Sequence, residues 1–164
     1  MKTNRLVPLF ALAAMFTCSA LAADLSRDDR QFFEKAAKSG VKEVEVSSAV
    51  LPKLTTPAVR EYAQMMVAHH TAANEELKAL ASRKGVTLPA NDGDFAKKWS
   101  KNDKDVADEY LDEMVDDHQE AVALFEKASR SSDPDVAAFA QKTLPKLRQH
   151  LDLARTHQKT KKTN

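Results

Sequence analysis

Two segments of this chain pair a methionine with a histidine four positions on. In one, Glu61-Tyr62-Ala63-Gln64-Met65-Met66-Val67-Ala68-His69-His70, the pair is Met66 and His70. The other, Glu109-Tyr110-Leu111-Asp112-Glu113-Met114-Val115-Asp116-Asp117-His118, repeats it 48 positions later with Met114 and His118. A spacing of four puts both side chains on one helical face, and in both copies that face is apolar. Two imidazoles are therefore expected inside the protein, where an unsatisfied polar group costs roughly 1–3 kcal/mol. One reading makes them polar locators, each ring bonded to a carbonyl or carboxylate, with Glu43, Asn74 and Tyr62 as candidate partners. The other makes them ligands of a metal ion near the middle of the molecule, with Glu43 and His150 as possible additions.

The donor set weighs the identity of such an ion. Thioether with imidazole, Met66 with His70 and Met114 with His118, suits copper better than magnesium or calcium. Carboxylates from Glu43 and Asp117 would instead suit iron or zinc. Methionine is also a common core filler, which is the plain alternative for Met66 and Met114. His69 and Asp117, one residue off their seams, are expected at the bundle surface, and Glu45 is expected to face outward.

Helices must position these residues. Glycines and aromatics are few, and no run alternates with the period of two that a strand requires. The first helix is expected from a Ser26 cap to about Leu51, where Pro52 stops it, with Phe33, Ala37, Gly40, Val44, Ser47 and Leu51 facing inward. The small residues Gly40 and Ser47 point to a close helix crossing. A second helix opens with Pro57 and ends at Lys84 before Gly85; its seam is Val59, Ala63, Met66, His70, Ala73, Leu77 and Leu80. A third runs from about Asp103 to Arg130 on Ala107, Leu111, Met114, His118, Ala121, Phe125 and Ala128. The fourth is capped at Ser132 or Asp133 and runs to about His157; Pro145 should kink it and leaves the facing of His150 open.

Four amphipathic helices with short first and third connections make an all-α four-helix bundle. The connection over residues 85–102 is long enough to span a helix, so the second and third helices could run parallel or antiparallel. Either way, two mid-helix imidazoles reach the same level and are expected to meet across neighbouring helices.

The chain's ends have their own chemistry. Lys2 and Arg5 precede an apolar stretch from Leu6 to Leu21, and Ala20-Leu21-Ala22 has the small residues a signal peptidase needs. Residues 1–22 are read as a signal peptide, 23–158 as the bundle and 159–164 as a basic disordered tail. Cys18 would leave with the signal, so the exported chain would rely on its core and not on disulfides. It would carry 23 basic against 24 acidic residues, which gives no electrostatic reason to bind nucleic acid. No further segment has the length and apolarity of a membrane span. No glycine-rich phosphate loop or glycine-flanked serine elbow is present.

The motifs resemble a known family. Met66-Val67-Ala68-His69-His70 with Asn74 and Leu77, Met114 to His118 with Val122, Leu124 and Phe125, and Thr143-Leu144-Pro145 with Leu147, His150 and Leu151 are similar to the exported bacterial family catalogued as domain of unknown function 4142. Glu43-Val44-Glu45 and Gly85-Val86-Thr87-Leu88-Pro89 fit it as well, so the resemblance covers about residues 28–155. It implies a ferritin-like bundle in the periplasm or at the outer membrane, and no assigned reaction. Members usually carry Asp-His in the second helix where this chain has His69-His70, so an aspartate ligand or partner is missing there. None of His70, His118 and His150 has an acid three residues before it. The Glu-x-x-His element of di-iron bundles is thus absent, and a ferritin-type oxidase is not expected. The Met-x-x-x-His-His element, Met65 with His69 and His70, also resembles a second exported helical family, catalogued as 305, some of whose members are associated with copper.

The functional expectation is an exported, non-enzymatic binding or envelope-stress protein. The alternative is a periplasmic metal-binding protein for copper, zinc or iron, using the seam histidines.

Overall fold

The computed structural model describes residues 25–91, 93–100 and 106–162. The signal peptide expected over residues 1–22, Asp92 and the Asp103 start of the third helix lie outside the described residues. Four helices form the bundle: α1 (Arg27–Val50), α2 (Pro57–Arg83), α3 (Val106–Ala128) and α4 (Pro134–Lys162). Their bounds follow local chemistry. Ser26 accepts from Asp29 N at 3.0 Å while the Asp29 carboxylate faces the Ser26 N–H, closing a capping box. Pro57 and Pro134 occupy first helical positions, where a missing N–H costs nothing. Gly85 leaves α2 with φ of 64°, the left-handed conformation glycine adopts freely. The α4 helix continues through Pro145 and past His157 to Lys162, so residues 159–162 of the expected tail extend it.

Cross-helix contacts give the topology. Phe32 meets Phe125 at 5.0 Å and Ser47 meets Tyr110 at 2.8 Å, so α1 and α3 run antiparallel. Glu76–Lys142 and Tyr62–His157 set α2 antiparallel to α4. Glu126–Arg148 and Asp112–Gln158 do the same for α3 and α4. It follows that α2 and α3 are parallel and stand diagonally across the bundle. The expectation that they would be neighbours is corrected: each packs on α1 and α4 instead. Repeat-related residues share a level, Tyr62 with Tyr110 at 6.1 Å and His70 with His118 at 5.5 Å. The crossover between α2 and α3 is pinned by buried Trp99, whose ring packs on Tyr110 and whose carbonyl accepts from Lys53.

The apolar interior is two clusters with a polar layer between them. One contains Phe32, Phe33, Leu77, Leu80, Phe125, Phe139 and Leu147. The other contains Val46, Val50, Tyr62, Met66, Tyr110, Leu111, Met114 and Trp99. Along every helix the break between clusters falls at a buried polar residue: Glu43, His70, His118 and His150.

The inner face of α1 differs from its expected stripe. Val44 and Leu51 are half-buried, whereas Glu43, Val46 and Val50 face the core. The small residues on this face leave room for side chains from the packed helices. Asn74 fills the space over Gly40, and the Ser47 and Tyr110 hydroxyls share a hydrogen bond. A Cβ built on Gly40 would stand 1.9 Å from Asn74 Oδ1. Alanine there gains about 0.5–1 kcal/mol of helix stability but must displace Asn74. A thermal-melt cycle should therefore show Gly40→Ala stabilising the Asn74→Ala background more than the wild type. Equal effects in both would contradict this packing.

Candidate metal centre

His70 is carried by α2, His118 by α3 and His150 by α4, with 6%, 1% and 1% of their surfaces exposed. One nitrogen from each ring lies within 4.8 Å of the other two. Ring centroids are 5.5 Å apart for His70–His118, 5.2 Å for His70–His150 and 5.3 Å for His118–His150. The diagonal pair is thus joined by a third imidazole from the helix packed against both. One nitrogen of each ring has no hydrogen-bond partner within the protein: Nε2 of His70, Nε2 of His118 and Nδ1 of His150. Three convergent buried imidazoles of this kind are a group that could bind a metal ion.

Their opposite nitrogens explain part of the orientation. His118 Nδ1 donates to the Met114 carbonyl at 2.8 Å, one helical turn back, so the proton sits on Nδ1 and the Nε2 lone pair is free. His150 Nε2 shares a hydrogen bond of 2.9 Å with His69 Nδ1, and the two rings stack at 5.2 Å. Tyr62, a candidate partner of the rings, instead donates to the backbone carbonyl of His150 at 3.3 Å. Asn74 lies over Gly40.

Burial sets the charge of the cluster. His70 is held well below the usual imidazole range by burial, and then by the neighbouring rings. Burial pushes His118 down to about 4, against its hydrogen bond to Met114. His150 falls to about 3 through burial and the proximity of His118, His69 and Lys146. All three are neutral at pH 7, the form in which imidazole binds a metal.

The other expected residues lie around this group. Glu43 is 1% exposed, inside the bundle and not at the edge of the α1 stripe. It is outside the three-residue group; the charges that act on it are Asp117, Lys42 and Glu113. Met66 and Met114 are fully buried in the apolar cluster that contains Tyr62 and Tyr110. Glu45 is half-buried and accepts from Asn91.

Two residues expected at the surface prove to be half-buried partners. His69 bonds His150, and Asp117 pairs with Lys42 at 2.6 Å while Lys42 also reaches Glu113 at 3.0 Å. Both occupy the flank of a seam, a position that meets an adjacent helix. Only the identity of that helix was missing from the sequence. A cavity of about 40 Å³ adjoins the histidines, with Gly40, His69, His70, Asn74 and His150 in its walls.

Glu43 gives the site a measurable pH signature. Burial first, and Asp117 second, raise its carboxyl well above the ordinary value. The proton is then bound more tightly in the folded state, so this contribution is complete below about pH 4.5 and is lost as pH rises. The histidines act oppositely: their contribution is complete above about pH 6.5 and is lost as pH falls toward 4 and 3. Metal-free protein should therefore melt at a lower temperature at pH 4 than at pH 6.5. Glu43→Gln should raise the melting temperature at pH 8 and leave it unchanged at pH 4. An equal gain at both values would show that Glu43 is not a buried neutral acid.

Comparison with known proteins agrees with the fold. The crystal structure of a DUF305 fragment from Deinococcus radiodurans superposes with a TM-score of 0.72 at 15% sequence identity. The match covers 83% of this chain and 98% of that one. At this identity the likeness shows a shared four-helix bundle. No curated protein matches the sequence. A family model does, over residues 14–156, and the chain belongs to that family, the domain of unknown function DUF4142.

Proposed function

We propose that this protein is an exported, non-catalytic helical bundle that holds one transition-metal ion on His70, His118 and His150. The observation that carries the reading is the set of three partnerless imidazole nitrogens on rings that converge between two apolar clusters. A buried polar atom without a partner costs folding energy, and an ion at the centre of the three would remove that cost at once. Parallel α2 and α3 joined by one long crossover support a ferritin-like topology. Export rests on the basic start, apolar stretch and Ala20-Leu21-Ala22 of the N-terminal segment, which favours the periplasm.

The donors favour copper or zinc. Imidazole serves both, whereas the usual non-haem iron triad adds a carboxylate, and among the described residues no carboxylate belongs to the group within 4.8 Å. Glu43, Met66 and Met114 form the surroundings of this ion and not its ligands. A binding role fits the space better than catalysis does. The cavity beside the rings, about 40 Å³, accommodates a water molecule, while substrate pockets run to roughly 300–1,000 Å³.

Purified protein titrated with Cu(I), Cu(II), Zn(II) and Fe(II), with metal content measured after dialysis, tests this directly. Copper or zinc should bind at one ion per chain, and binding should vanish in the His70→Ala/His118→Ala double variant that circular dichroism shows to be folded. Unchanged stoichiometry and affinity in that variant would rule the site out.

A further inference from the structure

The cluster has an unusual neighbour in His69, which is half-buried at the rim and bonded through Nδ1 to His150 Nε2 at 2.9 Å. Either nitrogen could carry the shared proton, and the choice decides which face of His150 offers a lone pair. Two observations select one arrangement. First, His150 Nδ1 is buried with no partner. Were the proton there, an N–H would be orphaned in the interior, which is rarer and more costly than an orphaned lone pair. Second, His69 is partly open to water, so it can keep the ordinary Nε2–H tautomer, with that donor hydrated and its Nδ1 free to accept.

We infer that His69 is the positioning residue of the site: it accepts the His150 Nε2–H, fixes that tautomer, and so turns the Nδ1 lone pair of His150 toward His70 and His118. This rests on the three-histidine reading above and completes its donor set as Nε2 of His70, Nε2 of His118 and Nδ1 of His150. The Met114 carbonyl plays the same part for His118, where the acceptor can only be an oxygen and the direction is unambiguous. Metal-bound histidines generally donate their second N–H to a carboxylate, a carbonyl or water, and losing that partner typically weakens binding 10–100-fold. An imidazole acceptor in this role has a useful consequence. It adds no negative charge beside an interior that contains neutral rings. A carboxylate at the same place would satisfy the same N–H, so His69→Asp should substitute for it, whereas an apolar side chain should not.

Imidazole 15N–1H correlation spectra of the full chain labelled at histidine, recorded without metal and then with Zn(II), test the inference. Without metal, His150 should show Nε2–H and a bare Nδ1. His69→Leu should convert it to a mixture of tautomers and weaken Zn(II) binding roughly 10–100-fold. His69→Asp should restore the tautomer and bring affinity to within about 10-fold of wild type. A His150 protonated at Nδ1 in the wild type, or His69→Leu binding Zn(II) as wild type does, would overturn the assignment. The metal-free spectra judge His69 without reference to binding. Failure of the wild type to take up either Zn(II) or copper, beside the expected tautomer, would therefore fail the three-histidine reading separately, and with it the ligand role given to Nδ1.

Discussion

Three neutral imidazoles meeting inside an apolar bundle are the constraint around which the other features are arranged. Each helix changes from one hydrophobic cluster to the other at its buried polar residue, so the layer is a seam between two cores. Desolvation keeps the rings uncharged, because a buried imidazolium without a carboxylate beside it would be far more costly than a neutral ring. Neutrality in turn leaves each ring with one lone pair and one N–H to place. The helix backbone takes the N–H of His118, and His69 stands beside His150.

An approximate two-fold relation along the bundle axis organises the layer. It exchanges α2 with α3 and α4 with α1, so the repeated segment supplies Tyr62 with Tyr110 and His70 with His118 at matching levels. The flanking positions follow the same relation. His69 in the first copy reaches α4 at His150, and Asp117 in the second reaches α1 at Lys42. The symmetry is broken in chemistry. One half closes with an imidazole pair, and the other with an ion-pair group in which Lys42 balances Asp117 and Glu113 beside the buried acid Glu43, whose carboxyl pKa is raised by burial. The fourth helix, α1, contributes Glu43 to the layer, outside the three-imidazole group, where burial, Asp117 and Glu113 raise its carboxyl pKa.

Much of this was legible in the residues. The seams of α2 and α3 were correct except at Ala73 and Ala107, which are half-buried, because a heptad of apolar side chains fixes which face a helix buries. His70 and His118 were placed inside by the same logic. What periodicity does not encode is which helices become neighbours. The sequence left the direction of α3 open, so His69 and Asp117 read as surface residues when each in fact meets an adjacent helix. The inner face of α1 was misread because a stripe through Phe33, Ala37 and Gly40 can continue through Val44 or through Glu43. Apolar preference favours Val44, whereas the packed helix buries Glu43 even though the nearby acids Asp117 and Glu113 disfavour its charge. His150 was uncertain for a different reason: Pro145 removes a backbone donor, yet the helix continues and delivers the ring to the layer.

The central claim is that these rings form a ligand set and not merely a polar seam. Metal content of the protein isolated from its native compartment, without added metal or chelator, addresses it most directly. About one copper or zinc ion per chain in the wild type, and none in a folded His150→Ala variant, is the predicted result. Metal-free wild type, or equal metal in the two proteins, would contradict it.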